Sequence, residues 1–160
     1  MRDHLLVSLL TFFALVVAGV ALSEGVVARW TGSTDLEVVF VLADSETKRP
    51  VASGAVEIEV MTDRPLPQPQ RFTLNTGEDG TARKTCRRIR CGGAKSNLGF
   101  VDTFSAQMPA WRFQAAAPGY VTTEVVDLFV PEFAQAAKRV RPGFARVEVS
   151  IPMRRAEATE

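Results

Sequence analysis

The sequence predicts an all-β domain, a sandwich or barrel, preceded by an N-terminal apolar export helix. Two patterns in the chain carry that expectation. Short runs rich in β-branched and aromatic residues alternate with turn signals from Asp35 to Met153. Ahead of them lies an apolar run of eighteen residues, Leu5 to Leu22, broken only by Ser8, Thr11 and Gly19. A chain of 160 residues supports one ordinary domain once a targeting segment is set aside. With 46% hydrophobic residues, 23% charged residues and a formal net charge of +1, the composition excludes wholesale disorder and the bulk charge of a nucleic-acid-binding protein.

The N-terminus, MRDHLLVSLLTFFALVVAGVALSEG, places Arg2 ahead of the apolar run. Small residues follow at the spacing signal peptidase prefers, Gly19-Val20-Ala21 or Ala21-Leu22-Ser23. Eighteen helical residues at ~1.5 Å each would span roughly 27 Å, close to the ~30 Å hydrocarbon core, so a retained anchor competes with a cleaved signal peptide. Both readings export residues 24–160 to the periplasm or cell envelope and leave Arg2 inside. They differ in whether the chain stays associated with the membrane through residues 5–22. Trp30, in the expected tether 24–34, is either an interfacial anchor or an ordinary packed tryptophan.

The strands follow in order. LEVVFVLA (36–43) is β-branched and aromatic, and DSETKRP (44–50) is turn chemistry ending in proline. In VASGAVEIEVMT (51–62), Ala55, Glu57 and Glu59 alternate with Val56, Ile58 and Val60, the signature of a half-buried strand. DRPLPQPQ (63–70) carries three prolines at alternate positions, which fix φ and force an extended connection. RFTLNT (71–76) reads as a short strand and GEDG (77–80) as a tight turn in which glycine supplies positive φ. WRFQAAA (111–117), YVTTEVVDLFV (120–130) and ARVEVSIPM (145–153) add three strands. PEFAQAAKRV (131–140), with Pro131 at a possible first helical position and Phe133, Ala136, Ala137 and Val140 at helical spacing, predicts a short helix.

Three motifs in this order carry a resemblance. Pro50-Val51-Ala52-Ser53-Gly54-Ala55-Val56, then Thr76-Gly77-Glu78-Asp79-Gly80, then Ala117-Pro118-Gly119-Tyr120 resemble the corresponding segments of bacterial carboxypeptidase-regulatory-like domains of the transthyretin-like, or prealbumin-like, sandwich. The resemblance spans roughly residues 36–130. It implies a seven-stranded Greek-key β-sandwich, Ig-like in architecture, that is exported, usually non-catalytic, and serves as an accessory module. Two departures from that pattern stand out: TARKTCRRIRC after Gly80, in which neither face is apolar, and residues 92–110, which read as an insertion. The expected organisation is a signal peptide or anchor over 1–23, a tether over 24–34, a β-sandwich domain over 35–153 and a polar tail over 154–160.

The exported part holds no histidine, since His4 is the only one in the chain, so a histidine-dependent hydrolase triad has no base. Iron-dependent ring-cleaving dioxygenases, which such a sandwich resembles in fold, need two tyrosines and two histidines, and Tyr120 is the only tyrosine. Transthyretin-like hydroxyisourate hydrolases need active-site histidines and a C-terminal tyrosine motif, against the RRAEATE found here. Paired carboxylates are the remaining route: Glu57 with Glu59 on one strand face, or Glu78 with Asp79 in a turn. They read as a solvated face and as local turn chemistry. No catalytic residue, cofactor or metal site is expected, and no enzymatic activity.

The two cysteines, Cys86 and Cys91, flank three arginines in CRRIRC. Export favours a structural disulfide over free thiols, and too few ligands exist for structural zinc. An extended Cys86 to Cys91 separation of about 16 Å exceeds the ~4.4–6.8 Å Cα spacing of a disulfide, so a bridge requires this segment to turn. Around it, Arg83, Lys84, Arg87, Arg88, Arg90 and Lys95 form a basic cluster with no intervening acidic residue. It reads either as a device that keeps an edge strand soluble or as an anion-binding loop over 83–95. The function expected is a non-catalytic cell-envelope accessory or interaction module, with an anion- or acidic-glycan-binding module as the alternative. An envelope protein or an acidic glycan is the expected partner, and nucleic acid is not, because the chain is exported and no aromatics interleave the arginines.

Overall fold

Leu36, Val38, Phe40 and Leu42 alternate along one strand and all four are fully buried. The period of two aims each of them at the same face, and that face is the core of a computed structural model describing residues 12–16, 27–62, 70–96 and 102–157. The strand is β1 (Val27–Asp44), followed by β2 (Ala55–Val60), β3 (Gln70–Asn75), β4 (Thr81–Ser96) and β5 (Asp102–Ala106). The order continues with β6 (Trp111–Ala116), β7 (Val126–Asp127), a helix (Pro131–Ala136), β8 (Lys138–Arg141) and β9 (Phe144–Met153). Residues 12–16 are also helical.

Two sheets result, one of order β5-β4-β1-β9-β8 and one of order β3-β2-β6-β7. The chain is therefore mostly β, in two layers. Within the first sheet β1 pairs in parallel with β9, placing Val38 beside Val147, Phe40 beside Val149 and Leu42 beside Ile151. Val39, on the opposite face of β1, is buried as well, at 4% exposure. That double burial explains why VVFVL reads as a continuous apolar run. In the second sheet Ile58 sits beside Phe72 and Phe113, and Val56 beside Leu74 and Ala115. Phe40 and Phe113 join the layers edge to face, their ring centroids 5.1 Å apart.

The turn glycines answer close approaches. Gly80 adopts φ +69° with Leu42 O 2.7 Å from where a Cβ would stand, while its carbonyl accepts from the Leu42 N–H at 2.9 Å. At Gly54 a Cβ would lie 2.6 Å from Leu42 Cδ2, and its backbone N–H donates to Thr76 Oγ1 at 2.8 Å. Two of the three motifs behind the family resemblance are thus held against the same stretch of β1.

Contacts divide the chain into two units, Met1–Thr31 with Gly92–Thr103, and Gly32–Cys91 with Phe104–Glu160. In the described part of the first, the Trp30 ring packs on Gly93, where a Cβ would stand 2.8 Å from Trp30 Cζ2, and the Ala94 N–H donates to Thr103 Oγ1 at 3.0 Å. The second holds all of the buried core named above.

The structure differs from the sequence reading in several places. Nine strands are present among the described residues, where the resemblance implied seven. The expected tether is strand from Val27 onward, and the expected insertion over 92–110 is occupied partly by the end of β4 and by β5. The strand expected over 120–130 shrinks to β7 and a bridge at Tyr120, because Thr123 bonds to Ala115 through both its amide and its hydroxyl and takes the chain off the ladder. The helix expected over 131–140 begins at Pro131 as the sequence indicated but ends at Ala136, after which Lys138 starts a strand. No helix among the described residues is long and apolar enough to cross a membrane. The export segment, apart from 12–16, and the proline-rich residues 63–69 lie outside the described residues.

Candidate functional site: a cationic strand

TARKTCRRIRC forms the first part of β4 instead of a loop. Ala82 is buried and Cys86 packs against the core, two even-numbered positions, whereas further along the core-facing residues are the odd-numbered Ile89 and Cys91. An uninterrupted strand cannot change parity, so one extra residue must be absorbed between Cys86 and Ile89. Arg88 absorbs it with φ 55°, the left-handed conformation that costs a non-glycine residue about 1 kcal/mol or more. The Asp35 carboxylate on β1 accepts the Arg88 backbone N–H at 3.0 Å and fixes the bulge. This is why neither face of the segment looks apolar in sequence: its inward face is split between two registers.

The expected staple is not formed in this geometry: Cys86 and Cys91 are unbridged, and the strand continues through both cysteines without the reversal a bridge requires. Burial pushes the Cys86 thiol above its ordinary range, and the positive charge of Lys84 offsets that only in part.

The bulge also sets the cations out. Arg83, Lys84, Arg87, Arg88 and Arg90 are all exposed. Arg83 pairs loosely with Asp79 at 3.6 Å, and the Lys84 ammonium lies 5.2 Å from the Phe72 ring centroid. Arg87, Arg88 and Arg90 form no ion pair among the described residues. Lys95, counted with the cluster in the sequence, belongs to the other unit.

The carboxylate pairs are engaged separately. Register puts Arg71, Glu59, Arg112 and Asp127 in one row across the second sheet, and Thr73, Glu57 and Gln114 in the next. Glu59 pairs with Arg71 at 3.4 Å, Asp127 with Arg112 at 3.0 Å, and Glu57 accepts from Gln114 at 2.8 Å. Asp79 accepts from the Thr81 hydroxyl and amide, which with nearby Arg83 hold its carboxyl below the usual range. The rows are a polar, solvated face.

One polar node escaped the sequence reading. Asp44, 2% exposed at the end of β1, accepts from Arg155 Nε at 2.8 Å, from the Tyr120 hydroxyl at 3.1 Å and from the backbone N–H groups of Glu46 and Thr47. The Thr47 amide and Arg155 hold its carboxyl far below the ordinary range. Arg155 lies in the stretch expected to be a polar tail, but the Tyr120–Arg155 bridge and the Ala156 N–H to Gly119 O bond (3.0 Å) dock it on the sandwich. Only the DSET turn signal at Asp44 hinted at this node.

No family model and no curated protein matches the chain. Among solved structures it is similar to hydroxyquinol 1,2-dioxygenase from Pseudomonas putida DLL-E4, with 14% identity, a TM-score of 0.47 and coverage of 77% of this chain and 57% of that one. It is also similar to chlorocatechol 1,2-dioxygenase from Pseudomonas putida, with 10% identity, a TM-score of 0.48 and coverage of 77% and 61%. The chain thus spans less than two thirds of either neighbour. Both titles name enzymes, and on that finding the expectation of a non-catalytic module, with no enzymatic activity, is withdrawn. A likeness of this size assigns no reaction or substrate to the present chain. The residues do not fit a ring-cleaving iron site of two tyrosines and two histidines: the single tyrosine, Tyr120, donates its hydroxyl to a carboxylate already paired with Arg155.

Proposed function

We propose that the cationic face of β4 recognises an acidic partner, an acidic glycan of the cell envelope, on a chain exported through residues 1–23. The observation that carries this reading is that Arg87, Arg88 and Arg90 form no ion pair among the described residues and stand on a strand whose backbone is pinned by Asp35. Planar guanidinium groups match carboxylates bidentately, and a strand fixed by its neighbours loses little entropy when it binds. Export is supported by the apolar run behind Arg2 and its small-residue cleavage motifs, whether the segment is cleaved or retained as an anchor. The three glycine motifs support a carboxypeptidase-regulatory-like ancestry for the sandwich.

The test is calorimetric titration of the chain with polygalacturonate, with neutral dextran as the control. The expected result is binding that weakens with salt, and a loss of about tenfold when Arg87, Arg88 and Arg90 are all replaced by serine in a variant that retains its β circular dichroism. Equal affinity of wild type and variant, or binding indifferent to salt, would falsify the reading.

A further inference from the structure

We propose that a cleft at the open side of the sandwich, between Phe113 and Val149, binds a small primary amine with a compact apolar body. The cleft has a volume of about 220 Å³. Its floor is core from both layers, Phe113 of β6 with Val149 and Ile151 of β9, and Val126 and Phe133 also line it. It stays open for a topological reason. β8 pairs with β9 only through Phe144, Ala145 and Arg146, and β7 pairs with β6 only at Arg112 and Phe113. Neither strand covers the ground between Val126 and Ile151.

Size and charge select the ligand. An apolar cavity of ~150 Å³ accommodates benzene, so about 220 Å³ holds a phenyl-sized body with a two-carbon arm. Glu124 also lines the cleft, is exposed, and forms no ion pair among the described residues. Its neighbour Thr123 is fixed to Ala115 by two bonds of 2.9 Å, one through each residue's amide, so the carboxylate is carried on anchored backbone. An apolar body against a core floor with an ammonium group at Glu124 satisfies both features, whereas a carboxylate head would meet a like charge.

The test is methyl NMR of the isotopically labelled chain titrated with phenethylamine and, separately, with 3-phenylpropionate. Expected are shifts of the Val126, Val149 and Ile151 methyls with the amine, and binding about fivefold weaker with the acid. Glu124→Gln should bring the two ligands to equal affinity, and Val126→Trp, at a position 39% exposed, should block both. The proposal is overturned by absence of methyl shifts at about 10 mM amine, by equal binding of acid and amine to wild type, or by a discrimination that survives Glu124→Gln. Because Glu124→Gln changes an exposed side chain and leaves the floor intact, its result stands even where Val126→Trp fails to fold.

Discussion

Arg155 Nε donates to the Asp44 carboxylate at 2.8 Å across 111 residues of chain, joining the end of β1 to a segment beyond β9. The carboxylate is 2% exposed while the Arg155 side chain is 64% exposed, so the pair is anchored from the acid side. Its four donors all favour the ionised acid.

That arrangement fixes the sign of a pH dependence. The folded pKa of Asp44 is depressed, so its contribution is fully present above the unfolded value of about 4 and is lost as pH falls below it toward the folded value. Asp44→Asn should lower the melting temperature by several degrees at neutral pH, and the gap to wild type should narrow below about pH 4. Thermal melts of both proteins across that range decide it, and a gap that widens in acid refutes it.

Arg155→Ala leaves the Asp44 charge to Tyr120 and two amides, and it releases the docked end. The expected outcome is a lower melting temperature and faster proteolysis of the C-terminal residues, read by mass spectrometry. Wild-type melting and proteolysis would show that the 2.8 Å bond adds nothing.

Gly80→Ala forces a Cβ to within 2.7 Å of Leu42 O and 2.9 Å of Val51 N, both backbone atoms, at φ +69°. A loss of about 2–3 kcal/mol in denaturant unfolding follows from the strain and crowding combined. A loss under about 0.5 kcal/mol would mean the turn relaxes freely.

Phe40→Ala removes a fully buried ring that contacts Phe113 across the layers. It should cost about 3–5 kcal/mol, whereas Arg71→Ala, on a pair whose arginine side chain is 69% exposed, should cost under about 1 kcal/mol. Chemical denaturation of both variants tests the contrast.

The thiols give a redox prediction. Purified without reductant, the protein should bind two equivalents of an alkylating reagent once unfolded, with no reduction step, because Cys86 and Cys91 are unbridged. In the native state Cys86 should react more slowly than an exposed thiol near neutral pH, since burial favours its protonated form. Alkylation that requires prior reduction would restore the staple.

The sequence by itself determined the layer chemistry. Alternation in AVEIEV, the apolar run at β1 and the turn glycines at 54 and 80 each encode a local rule, and the β fold with its core residues follows from them. It also displayed the arginines of β4, the solvated face carrying Glu57 and Glu59, and the local turn chemistry of Asp79. What it could not display depended on partners distant in the chain. The parity change in β4 needs Asp35 to hold Arg88, so CRRIRC looked like a loop when it is a bulged strand. Asp44 looked like a turn residue until Arg155 and Tyr120 arrived from the other end. The cleft floored by Phe113 and Val149 lies where β7 and β8 stop short, an extent of pairing that no local pattern records. Local periodicity sets which face of a strand is buried; only long-range pairing decides which polar groups meet and where the layers stay open.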